Sequence, residues 1–188
     1  MLPTAGTPTR RASADDRPAR VPDDLHQEGR AHDGPPADRL PRLRDMAPDA
    51  VRPIRTPIRA RRATSALEIG PSNGCSASWF AGALHDTGAL HDTGGRPTPV
   101  AVDAAETLAG TPDASVDPVA PDAERPAYAG YRPHLRRVLK PYGGLAVDNA
   151  VGHRDQVAAF RELLAATAEF PVDLHAVGDG LLTGVRVR

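Results

Sequence analysis

Leu67-Glu68-Ile69-Gly70-Pro71-Ser72-Asn73-Gly74 decides how the rest of this 188-residue chain is read. A short aliphatic strand runs into a glycine-bearing turn, and the turn opens a helical run from Cys75 to Leu84. Gly70 and Gly74 let the backbone approach a ligand closely, and Ser72 and Asn73 are good helix caps. The first turn of the following helix aims unpaired N–H groups at whatever occupies the bend. Glu68, at the strand end, would repel a phosphate. A carboxylate in that place predicts a ligand with hydroxyls and a cationic centre, not a polyphosphate.

Working outward, the chain is long enough for one domain with a real core. Its 20 prolines are about twice the usual share, and aromatics make up only 4%. Of its 23 basic residues only Lys140 is a lysine, which reads as codon bias in a GC-rich genome. The formal charge of −1 gives no reason to expect a nucleic-acid partner. The single cysteine, Cys75, excludes an internal disulfide and suits a reducing compartment. No apolar run approaches the ~20 residues that span a bilayer, and the N-terminal arginines lack the apolar stretch of a signal peptide. A cytoplasmic protein without a membrane partner is expected.

Residues 1–35 are polar and aperiodic, and are expected to be disordered apart from a short helix around Asp23–Arg30. The domain proper is expected over 36–188. From Asp38 to Arg62 apolar residues recur at helical spacing. Pro48 can open a helix there with Ala47 before it, but Pro53 and Pro57 predict one that is broken or weak. Alternating units follow: strand Ser65–Gly70, helix Cys75–Leu84, strands Val100–Asp103 and Ser115–Asp122, helix Ala127–Leu139, strand Gly144–Asp148 and helix His153–Ala168. Val172–Val177 and Leu181–Val187 flank Gly178-Asp179-Gly180, a turn that makes them antiparallel. The result is an α/β fold: a Rossmann-like, doubly wound, mostly parallel sheet with an antiparallel C-terminal hairpin. Only eleven residues separate Val100–Asp103 from Ser115–Asp122, so Ala104–Gly110 supplies at most a short helix, and the sheet is shortened by a crossover helix and a strand. Ala83-Leu84-His85-Asp86-Thr87-Gly88 recurs at once as Ala89–Gly94, a local duplication that lengthens one loop.

With these landmarks placed, the chain from about Val21 to Arg188 resembles the class I S-adenosylmethionine-dependent methyltransferases, specifically small O-methyltransferases of the catechol and caffeoyl-CoA type. The resemblance rests on Leu67–Gly74, on Asp122-Ala123-Glu124-Arg125-Pro126-Ala127-Tyr128, on Leu139–Asn149 and on Val177-Gly178-Asp179-Gly180-Leu181-Leu182, in family order and near family spacing. It implies methyl transfer from S-adenosylmethionine to a hydroxyl of a small acceptor. Glu68, Gly70, Ser72, Asn73 and Gly74 would hold the cofactor. Asp122, Asp148 and Asn149 fall at the family's divalent-metal positions, three oxygen donors suited to Mg²⁺. Such an ion lowers a hydroxyl's pKa and aligns it with the methyl group.

The departures predict a weakened or degenerate member. The acid that should grip the cofactor ribose falls on Ala101, with Asp103 a substitute on the same strand face. Arg125 stands where many relatives place a catalytic lysine; an arginine cannot be a general base but can anchor an anion. With Asp122 it forms the expected catalytic pair. Pro118 and Pro121 sit in a strand that should be central. The alternative is a non-catalytic remnant serving as an interaction or homodimerisation module through the helix Asp38–Arg62. A nicotinamide dehydrogenase is weaker, because the Gly70–Gly74 spacing is not Gly-x-Gly-x-x-Gly.

Overall fold

A computed structural model describes residues 17–33, 45–88 and 104–187. In chain order its elements are α1 (Arg17–His32), α2 (Pro48–Ala60), β1 (Leu67–Ile69), α3 (Cys75–Asp86), α4 (Ala104–Gly110), β2 (Val119–Pro121), α5 (Tyr128–Val138), β3 (Gly144–Val147), α6 (Arg154–Ala165), β4 (Val172–His175) and β5 (Leu181–Val185). The strands form one sheet in the order β1-β2-β3-β5-β4. β1, β2 and β3 are parallel, and β5 runs antiparallel to both β3 and β4. This is the expected mostly parallel sheet closed by an antiparallel hairpin. Among the described residues β1 is an edge strand. The expected strand Val100–Asp103 and the second copy of the duplication lie outside the described residues.

Strand alternation sends successive side chains to opposite faces, and here both faces are covered. Val119, Leu145, Val147 and Leu182 pack with Leu135, Val157 and Phe160 of α5 and α6. Ala120, Ala146 and Leu181 pack on the other side with α2 and α3. The first copy of the duplication ends α3. Ala83 and Leu84 are buried, the Thr87 hydroxyl donates to the carbonyls of Leu84 (2.7 Å) and Ala63 (3.0 Å), and Gly88 takes φ +83 past the helix end.

Three expectations are corrected. α2 is continuous through Pro53 and Pro57, with Pro48 at its first position and Ala47 as its cap. Two interior prolines cost about 6 kcal/mol, but Val51, Ile54 and Ile58 are buried on one stripe, worth roughly 5–9 kcal/mol together. Packing overrides the local preference. Second, the helix expected around Asp23–Arg30 extends from Arg17 to His32 and packs on α3. Third, the strand expected over Ser115–Asp122 forms only over Val119–Pro121. β2 shortens to three residues, so that Pro118 precedes it and Pro121 closes it. Pro118 still accepts from the Leu67 N–H (2.9 Å), and the Asp122 N–H donates to Ile69 (2.7 Å). The donor missing at Pro121 would face β3, where the register with β2 is confined to Val119 and Leu145.

Candidate functional site

The parallel strands bring three chain reversals to one end of the sheet, where α/β folds place their ligands. Ile69 lies opposite Pro121, so Gly70 meets Asp122. The register pairing Val119 with Leu145 carries Asp122 level with Asp148 on the neighbouring strand. The expected cofactor bend and the expected metal aspartates therefore share one edge.

The bend itself is tightly specified. Gly70 (φ +85) and Gly74 (φ +86) occupy the left-handed region, as does Ser72 (φ +50). A Cβ on Gly70 would lie 2.7 Å from the Asp122 carbonyl oxygen and 3.1 Å from the Ala123 Cα, so only glycine allows this approach. A Cβ on Gly74 would meet nothing within 4 Å. Beneath the bend, Glu68 accepts a hydrogen bond from the Ser76 hydroxyl through Oε1, while Oε2 is buried without a partner. Burial pushes its carboxyl up to about 7, against the opposing effect of Ser76.

Asn73 is engaged within the protein. Its Nδ2 donates to the Leu25 carbonyl (3.2 Å) and to Asp45 Oδ2 (2.9 Å), and its Oδ1 accepts from the Cys75 N–H (3.0 Å). The Cys75 thiol reaches the Pro22 carbonyl at 3.5 Å. α1 is thus fastened onto the bend by polar contacts. Ser72 is exposed on the turn, and Asp103 lies outside the described residues.

At the end of β3, Asp148 is 4% exposed, with Oδ1 buried and unpartnered, while Oδ2 accepts from Asn149 Nδ2 (3.2 Å). Asn149 turns the chain through φ +59, a conformation asparagine tolerates. Burial pushes Asp148 up to about 6; the Asn149 N–H and the Arg125 charge oppose this, and Asp179 adds to it. Arg125 is 5% exposed, so its charge is held inside the protein. The Tyr128 hydroxyl donates to the Pro121 carbonyl (3.0 Å) and fixes the end of β2. Its acidity is lowered by burial first and then by Asp122, with Arg125 opposing. Asp122, Arg125, Tyr128, Asp148 and Asp179 are thereby one electrostatic cluster. Sequence reasoning missed Ser76, Asp179, Asp45 and His26. Ser76 was legible as the first helical turn after the bend; the other three carry no spacing signal.

A five-stranded sheet with one reversed strand, wrapped on both faces by helices and carrying a glycine bend after β1, is the Rossmann-like fold of class I methyltransferases. Neither a family model nor a curated protein matches the sequence. Among solved structures, a methyltransferase from Podospora anserina with S-adenosylhomocysteine bound superposes with a TM-score of 0.63 at 19% identity, over 97% of this chain and 100% of that one. An O-methyltransferase from Streptomyces achromogenes, solved with S-adenosylmethionine, gives 0.60 at 24% identity over 87% and 89%. One from Bacillus cereus, in complex with S-adenosylhomocysteine, gives 0.61 at 16% over 89% and 90%. At these identities what is shared is the fold.

Proposed function

We propose that the chain binds S-adenosylmethionine in the Gly70–Gly74 bend and transfers its methyl group to a hydroxyl oxygen of a small acceptor. The observation that carries this reading is the buried Glu68 carboxylate, one oxygen unpartnered, beneath a glycine bend that presses on the end of β2. An unpaired carboxylate there favours a cationic ligand, and the open side of Gly74 with the first turn of α3 suits that ligand's own carboxylate. The cofactors bound in the Bacillus and Streptomyces enzymes agree with this assignment.

The cofactor, when bound, supplies an electrophilic methyl to an attacking oxygen. Glu68 offsets its positive charge, and Gly70 sets the bend against Asp122 so that acceptor and cofactor meet at the strand ends. Asp148 has a free buried oxygen at the same edge and takes up the hydroxyl proton. Arg125 stabilises the anion that this leaves. The unpartnered Oδ1 of Asp148 also fits a hard cation; with Asp122 and the Asn149 carbonyl it would hold Mg²⁺, whose Lewis acidity would lower the acceptor's pKa. Arg125 already places positive charge beside Asp148, so turnover persists, more slowly, without the ion.

Calorimetry of the purified chain with S-adenosylhomocysteine tests this. Micromolar binding that weakens in Glu68→Gln supports it. No heat from folded protein, together with a defined dimer by light scattering, would overturn it in favour of a non-catalytic dimerisation module.

A further inference from the structure

Outside the strand-end cluster, one group of ligating side chains stands alone. Nδ1 or Nε2 of His26, a carboxylate oxygen of Asp45 and Sγ of Cys75 lie within 4.8 Å of one another, and no other such trio occurs among the described residues. They come from three segments: α1, the approach to α2, and the first turn of α3. We propose that His26, Asp45 and Cys75 form a binding site for a borderline-soft divalent cation of the Zn²⁺ type, which clamps α1 onto the bend.

Two independent observations point to a missing ligand. His26 Nδ1 and Asp45 Oδ1 are both buried without a hydrogen-bond partner, although orphaned buried polar atoms are uncommon. The other oxygen of Asp45 is held by Asn73 Nδ2 at 2.9 Å, the outer-shell support that orients a ligating carboxylate. Second, the surroundings are anionic: Asp23 and Glu68 act on Cys75, and Asp33 acts on Asp45.

The donor set selects the metal. One imidazole nitrogen, one thiolate and one carboxylate oxygen suit Zn²⁺ and exclude Mg²⁺. Sulfur and nitrogen ligands of a tetrahedral zinc are about 3.6 Å apart, so the trio closes by roughly 1 Å through side-chain rotation, with water completing the sphere. Binding releases the Cys75 proton to solvent. A Cβ at Gly29 would overlap the Asp45 carboxylate, so this glycine lets α1 come close enough to deliver His26. The site shares no residue with the Asp148 cluster and stands whether or not the chain transfers methyl groups.

The test uses the full chain stripped with a chelator and titrated with Co²⁺, which reports a thiolate ligand by its near-ultraviolet charge-transfer band. The band should appear, bleach on adding Zn²⁺, ignore Mg²⁺, and survive Asp148→Asn. Cys75→Ser should abolish it, and His26→Gln should weaken binding by more than the ~10–100-fold that outer-shell changes produce. Circular dichroism of each variant separates lost binding from lost folding. Folded wild-type protein that gives no band, a band that persists in Cys75→Ser, or an unaltered His26→Gln would overturn the site.

Discussion

Replacing Gly70 and Gly74 separately by alanine measures how closely the bend lies against β2. Both positions have nearly the same φ, +85 and +86, so both variants incur a similar backbone penalty, about 1–2 kcal/mol for a side chain in the left-handed region. Only at Gly70 does the new Cβ strike backbone, 2.7 Å from the Asp122 oxygen and 3.0 Å from its carbonyl carbon. Relieving that overlap means moving one strand end from the other, which adds roughly 1–3 kcal/mol by the scale of overpacked cores. Gly70→Ala should therefore be less stable than Gly74→Ala by about 1–3 kcal/mol. Urea unfolding of the two proteins reads the difference from the midpoints at constant slope. The same displacement carries Glu68 and the Asp122 edge apart, so S-adenosylhomocysteine affinity should drop tenfold for each ~1.4 kcal/mol of lost binding energy. Equal destabilisation by the two substitutions would refute the close approach and remove the geometric basis for the cofactor reading.

Other outcomes follow from single residues. Glu68 titrates near 4.5 when unfolded and about 7 when folded, so its contribution to stability is complete below pH 4.5 and is lost as pH rises to about 7. Glu68→Gln should remove that slope and stabilise the ligand-free protein at pH 8 by about 3 kcal/mol, while weakening cofactor binding; an unchanged pH dependence of urea midpoints would count against its burial. Asp148→Asn should slow methyl transfer with or without Mg²⁺ and abolish any stimulation by the ion, while leaving S-adenosylhomocysteine affinity within about threefold, a split visible by pairing calorimetry with initial rates. Asp117, 6% exposed, accepts from Arg61 (3.0 Å) and from the Gly144 N–H (2.8 Å) and ties α2 to the start of β3. Asp117→Ala should cost about 3 kcal/mol in urea unfolding by stranding both donors.

The contrast between what the residues disclosed and what they hid follows from the range of the forces involved. Leu67–Ile69, Gly144–Val147 and the Gly178–Gly180 turn were legible because local periodicity and glycine chemistry act within a few residues. The continuity of α2 was not legible. The local penalty of Pro53 and Pro57 is visible in the chain, but the sheet face that buries Ile54 and Ile58 is assembled from residues far downstream. The full length of α1, beyond the expected Asp23–Arg30, was hidden for a different reason. It docks through Leu25 and Pro22 carbonyls received by Asn73 and Cys75, and backbone acceptors leave no mark in composition.

Arg125 shows how such hidden context changes chemistry. As a letter in the chain it offered an anchor for an anion without saying whether it lay inside. Burial beside Asp148 and Tyr128 makes it a fixed cation in the candidate site. A fixed guanidinium stabilises an anion but cannot draw a proton away, so in the proposed reaction the proton-accepting role falls to a carboxylate. Asp148, which burial brings to about 6, can ionise near neutral pH and still bind a proton usefully, a balance that a fully solvated aspartate lacks. The substitution that looked degenerate by itself fits the proposed division of labour between a buried guanidinium and a buried carboxylate.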